Sequence, residues 1–113
     1  MQFNYHNRQF RVVSNSTNGE VSSELIFTYH QKGNILVCHY SDHFILEGHL
    51  LGIVHPDGTI QSAYHQINRN NELKTGTCVA TPELMPNGKI RLQEQWKWTS
   101  GDHSRGTSVL KEL

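Results

Sequence analysis

The chain has 113 residues, 35% of them hydrophobic, and a formal net charge of zero. With no basic surplus, nucleic acid and anionic lipid are both disfavoured as partners, and no apolar run approaches the roughly 20 residues that a membrane-spanning helix needs. The length fits a single domain over 1–113, and a hydrophobic share below the globular average means that the core is small or the interior partly polar.

The N-terminus, Met1-Gln2-Phe3-Asn4-Tyr5-His6, has no apolar signal core, which predicts a cytoplasmic protein. Beyond it, segments rich in Val, Ile, Thr, Tyr, Phe and Trp alternate with turn residues, and no segment sustains helical periodicity. The first predicted strand, 8–13, leaves its inward face open, since Phe10 and Val12 compete with Arg11 and Val13. After the turn signal Asn18-Gly19 comes 23–31, with Leu25, Phe27 and Tyr29 on one face. Lys32-Gly33-Asn34 leads into 35–40, with Leu36, Cys38 and Tyr40 inward.

Ser41-Asp42 precedes 44–54, where Leu46, Gly48, Leu50 and Gly52 share a face. Two glycines on that face mark either a bend or space inside the fold. Pro56-Asp57-Gly58 introduces 59–68, with Ile60, Ser62, Tyr64 and Gln66 inward. Asn70-Asn71 introduces 72–81, carrying Gly76, Cys78 and Ala80. Pro86-Asn87-Gly88 introduces 89–99, and the Gly101 to Gly106 turn leads into 107–113.

Short links between consecutive strands predict an antiparallel meander. The expected fold is all-β, an eight-stranded antiparallel up-and-down barrel, whose closure removes exposed edges. Such a barrel has room for packed side chains or one small ligand.

Strand 89–99 carries the strongest functional signal. Ile90, Leu92, Glu94, Trp96 and Trp98 fall on one face, so alternation places a carboxylate among indoles and aliphatics. That costs several kcal/mol unless the group is paired or protonated. Tyr29, Tyr40, Tyr64, Trp96 and Trp98 would form an aromatic wall around Glu94, with hydroxyl and indole N–H groups to orient a guest. The plainer alternative is a filled barrel in which Glu94 accepts bonds from those groups. Arg11 is the candidate partner of Glu94, because closure brings the first strand beside the last.

Other chemistry finds less support. Cys38 and Cys78 are expected as free thiols. No catalytic residue is assigned, no Gly-x-Ser-x-Gly elbow or phosphate loop occurs, and no cofactor is expected. His39 and His43 straddle a turn, and His49 and His55 are separated by most of a strand. Neither spacing is a metal motif, so no metal site is expected, although histidines on antiparallel strands can meet in space. Tyr29-His30-Gln31 and Tyr64-His65-Gln66 repeat a tripeptide whose histidines alternation sends outward.

Several segments carry a family resemblance over nearly the whole chain. The specific ones are Pro86-Asn87-Gly88-Lys89-Ile90-Arg91-Leu92 and Trp96-Lys97-Trp98-Thr99-Ser100-Gly101-Asp102. Asn7-Arg8-Gln9-Phe10-Arg11, Ser14-Asn15-Ser16, Gly48-His49-Leu50-Leu51-Gly52, Thr81-Pro82-Glu83 and the two Tyr-His-Gln tripeptides add to them. On these the chain resembles a family of short bacterial avidin-like or lipocalin-like barrels, often labelled N-acetylglutamate synthase. The resemblance implies the barrel. The label implies an acetyl-CoA-dependent α/β enzyme, for which the sequence offers neither helices nor a pyrophosphate loop, and no catalytic residue is carried over from it.

The leading expectation is therefore a binding protein for a small, partly apolar molecule in the lumen. An enzyme using Glu94 as acid or base, of isomerase or cyclase type, is the second class. The third is an assembly module, a homo-oligomer paired through its outer strands.

Overall fold

The computed structural model describes residues 3–113. Its nine strands are β1 (Gln9–Asn15), β2 (Ile26–Thr28), β3 (His30–Lys32), β4 (Ile35–Tyr40), β5 (Ile45–Val54), β6 (Ile60–Asn68), β7 (Leu73–Leu84), β8 (Ile90–Trp98) and β9 (Arg105–Glu112). They form one antiparallel sheet in the order β2-β1-β9-β8-β7-β6-β5-β4-β3. The sheet ends, β2 and β3, are consecutive in the chain and separated only by Tyr29. The predicted strand 23–31 is thus broken at that residue. Its first half pairs with β1 and its second with β4, so the sheet returns on itself through one kinked segment. Nine strands do the work expected of eight.

Tyr29 is held at the break by the chain that precedes β1. Its N–H donates to the Arg8 carbonyl (3.0 Å), and its carbonyl accepts from the Asn7 N–H (2.8 Å). With the residue fixed from outside the sheet, the backbone hands over from one neighbouring strand to the other without an orphaned amide.

Alternation holds along most strands, and the inward faces are largely those expected. Leu25, Phe27, Tyr29, Leu36, Cys38, Tyr40, Ile60, Cys78, Ala80, Ile90, Leu92, Trp96 and Trp98 are buried. The open choice on β1 falls to Phe10 and Val12, which places Arg11 and Val13 outside. One face differs. The register of β5 against β6 shifts between Ile45 and Glu47, so Ile45 is buried and Leu46 points outward at 51% exposure. A bulge inserts one residue, which turns the side chains before it to the opposite face.

The two ends of the barrel are stoppered differently. At one end Tyr5 is fully buried, stacks on Phe3 and donates its hydroxyl to the Gly58 carbonyl at 2.6 Å. At the other, the loop of residues 16–25 folds over the lumen, held by the contacts described next.

Candidate functional site

Residues from β1, β2, β4, β5, β6, β7, β8 and β9 surround a lumen cavity of about 60 Å³. Tyr29, Tyr40, Tyr64, Glu94, Trp96 and Trp98 all line it, as do Glu20, Gln66, Cys78 and Ser108. The Trp96 and Trp98 ring centroids are 5.7 Å apart, and Tyr64 meets Trp98 edge-on at the same separation. Lys74 places its Nζ 5.3 Å from the Trp98 ring.

The aromatics fit because glycines stand opposite them. Tyr40 pairs with Gly48, Tyr64 with Gly76 and Trp96 with Gly106. A Cβ on any of the three would fall 2.2–2.3 Å from the facing aromatic side chain. Of the two readings of its sequence position, a bend or space, Gly48 does not provide the space, because Tyr40 lies over it. Each ring packs across a bare backbone, and the wall is thick where the sequence shows no side chain.

Glu94 has Ala80 and Ser108 as its cross-strand partners. Both are small, which keeps the cavity in front of the carboxylate. Arg11 does not reach it. Arg11 is exposed, opposite Lys111 and Ile26, because the apolar Phe10 and Val12 take the inward positions on that strand. The arginine that clamps a carboxylate here is Arg8, whose Nη1 donates to both oxygens of Glu112 (2.9 and 3.0 Å). Among the described residues no lysine or arginine pairs with Glu94. Loss of water on burial pushes its pKa up to about 7, with the Cys78 thiol beside it favouring the ionised form.

The polar groups around the cavity divide into two sets. One set is tied up. The Trp96 Nε1–H donates to Ser108 Oγ (2.8 Å), which donates to Asn15 Oδ1 (2.7 Å). The Trp98 Nε1–H donates to the Asn18 carbonyl (3.1 Å), and the Tyr40 hydroxyl donates to Gln66 Oε1 (2.8 Å). Gln66 and Asn68 in turn donate to the two oxygens of Glu20, which Lys74 also contacts at 2.8 Å. Glu20 thus pins the loop of residues 16–25 across the mouth.

The other set has no nitrogen or oxygen partner among the described residues, and Glu94 meets only the Cys78 thiol. Among the described residues the Tyr29 and Tyr64 hydroxyls and the Glu94 carboxylate take no hydrogen bond from or to a protein nitrogen or oxygen. No fully enclosed side-chain nitrogen or oxygen lacks a partner there either, so these groups open onto the cavity. Burial raises the pKa of both phenols, and the nearby Glu94 carboxylate raises it further; both stay neutral donors.

The two thiols are buried and unbonded to each other. Burial lifts Cys38 to about 12 and Cys78 higher still, far from the thiolate that nucleophilic work requires. His30 and His65 lie outside, as alternation predicts. Sequence reasoning missed Asn15, Glu20 and Ser108. Ser108 sits in register with Glu94 on an adjoining strand, and the alternation of β9 could have found it. Glu20 is a loop residue with no local signal.

A family model described as Avidin-like protein matches residues 3–113. No curated protein and no solved structure matches the chain.

Proposed function

The chain belongs to the avidin-like protein family, and on that premise we propose that its lumen binds the head group of a small, partly apolar molecule, with Glu94 as the recognising group. The observation that carries this reading is the Glu94 carboxylate, which unlike Glu20 has no cationic or amide partner among the described residues, with two unengaged phenols, Tyr29 and Tyr64, around one cavity. A filled barrel would use those groups on one another. A guest bearing an amine, amidine or amide N–H would meet the carboxylate, while Trp96, Trp98 and Tyr64 supply apolar and cation–π contact. The size of the cavity limits the guest. About 60 Å³ takes a group of a few atoms, whereas a whole drug-sized ligand needs roughly 300 Å³ or more. The remainder of a larger molecule would have to leave past the loop of residues 16–25. Both thiols are free, in keeping with a reducing, cytoplasmic setting.

The test is a thermal-shift panel of amines, amides and neutral metabolites against the wild type and Glu94→Gln. Cationic or N–H-donating hits that stabilise the wild type and fail on the variant support the proposal. An empty panel on the wild type, or the same hits on both, contradicts it.

A second reading is acid–base catalysis, favoured by the Glu94 pKa of about 7. A carboxyl poised there can exchange a proton at neutral pH, with a phenol polarising a carbonyl as in isomerase or cyclase chemistry. Turnover that follows a titration near neutrality and disappears in Glu94→Gln distinguishes it from simple binding. As a homo-oligomer, the protein would pair through its outer face, where Ile35, Leu51, Ile53 and Val79 are exposed on neighbouring strands. Light scattering measures that directly.

A further inference from the structure

Three histidines form a row on the outside of the barrel. His39 on β4 is the direct partner of His49 on β5, and His49 is the direct partner of His65 on β6. Their ring centroids are 4.3 Å and 5.0 Å apart. The row is accessible, His39 and His65 being exposed and His49 half-buried. On the same faces the neighbours two positions along are Val37, Ser41, Glu47, Leu51, Ala63 and Ile67. None carries a positive charge, and Glu47 brings a carboxylate oxygen to 3.4 Å from His49 Nε2.

We propose that this row is a binding site for a divalent transition-metal ion, Cu²⁺, Ni²⁺ or Zn²⁺, chelated by His49 together with His39 or His65. The spacing fits. With metal–nitrogen bonds of about 2.1 Å, two imidazoles on one ion have centroids roughly 5 Å apart, and both pairs fall close to that. Imidazole suits these metals, and their preference for it over water makes a two-histidine chelate selective against Mg²⁺ and Ca²⁺. Among the described residues no three His, Cys, Asp or Glu side chains converge on one point. Coordination is therefore by the pair, with water completing the shell and Glu47 supplying charge beside it. Because both pairs share His49, one ion binds per chain, and the central histidine matters most.

A second histidine contact provides an internal control. His6 and His30 lie 5.9 Å apart, but His6 Nδ1 already accepts the Gln31 N–H at 3.0 Å. That pair is wider and has one nitrogen committed, so it is not a site.

The experiment is calorimetric titration of the full chain with Cu²⁺, Ni²⁺ and Zn²⁺ at about pH 8, where free imidazole is neutral. Ni²⁺-induced broadening of histidine NMR signals reports the position. The expected result is one ion per chain, with broadening centred on His39, His49 and His65. His49→Ala should weaken binding by about tenfold or more. His39→Ala or His65→Ala alone should weaken it less, since one pair survives. His6→Ala should leave it unchanged. The double variant His39→Ala/His65→Ala keeps the half-buried His49 and must lose binding to the same extent as His49→Ala. No binding by the wild type up to about 100 µM, undiminished binding by either of the last two variants, or broadening centred on His6 would overturn the proposal.

Discussion

Trp96 stands directly opposite Gly106, and a Cβ built on that glycine would lie 2.2 Å from the indole ring. The tryptophan occupies the space of two residues, with its Nε1–H fixed on Ser108. Adding one methyl group there overpacks a rigid, hydrogen-bonded ring, and overpacking costs about 1–3 kcal/mol. Gly106→Ala should therefore lower stability by that amount in chemical denaturation and shift the Trp fluorescence. In the double variant Trp96→Ala/Gly106→Ala the glycine substitution should cost less than in the wild type, because the ring it strikes is gone and only Ser16 Oγ, at 2.3 Å, has still to give way. Additive losses would show that the two positions do not act through each other.

Glu94 should make the protein more stable in mild acid than in mild base. Its pKa is about 7 in the folded chain against an ordinary 4.5, so the native state holds the proton more tightly than the unfolded one. The stabilisation is complete below about pH 4.5, falls as pH rises and is lost above about pH 7. A difference of that size corresponds to about 3 kcal/mol. Glu94→Gln removes the ionisation, so it should be more stable than wild type at pH 8 and nearly equal at pH 5. Denaturation at the two pH values measures the difference, and a variant less stable at pH 8 contradicts it.

Glu20 should control access to the lumen. It accepts from Gln66 and Asn68, both buried, and contacts Lys74. Glu20→Ala leaves those amides with fewer partners, at a cost of about 1–3 kcal/mol. It also releases the loop that carries Asn18, the acceptor of the Trp98 indole. Acrylamide should then quench tryptophan fluorescence faster than in wild type, and unchanged quenching would mean that the loop is not held by Glu20.

The two N-terminal arginines should behave differently. Arg11 is exposed and makes no salt bridge among the described residues, so Arg11→Ala should alter stability by less than about 0.5 kcal/mol. Arg8 makes two bonds to Glu112, whose Oε1 also accepts the Ile90 N–H. Arg8→Ala should cost about 1–2 kcal/mol, because a mostly buried carboxylate loses its charge partner. Parallel urea titrations rank the two, and the reverse order would refute the assignment.

Period-two alternation made most of the barrel legible in the sequence. Wherever a strand runs straight, as β4, β6 and β8 do, each apolar residue falls on the face that alternation predicts. The prediction failed where backbone irregularity intervenes. A bulge near Leu46 reverses the start of β5, and the break at Tyr29 splits one strand in two, neither of which leaves a mark in side-chain pattern. Tyr40, Tyr64, Trp96, Trp98 and Glu94 were visible because each sits on a regular strand, and Tyr29 because the break leaves it facing inward. Their seating on Gly48, Gly76 and Gly106 was not, since it depends on cross-strand register. Glu20 and Asn15 meet the site through a loop and a hydrogen-bond chain, which only tertiary structure brings together. The row of His39, His49 and His65 escaped for the same reason, being scattered in the chain and adjacent only in the sheet.

The most direct test of the lumen site is a ¹³C NMR titration of the Glu94 side-chain carboxyl, with and without the best cationic ligand from the panel. The midpoint should lie near 7 in the free protein and move downward when the bound cation favours the ionised form. A midpoint in the ordinary carboxyl range, indifferent to ligand, would contradict it.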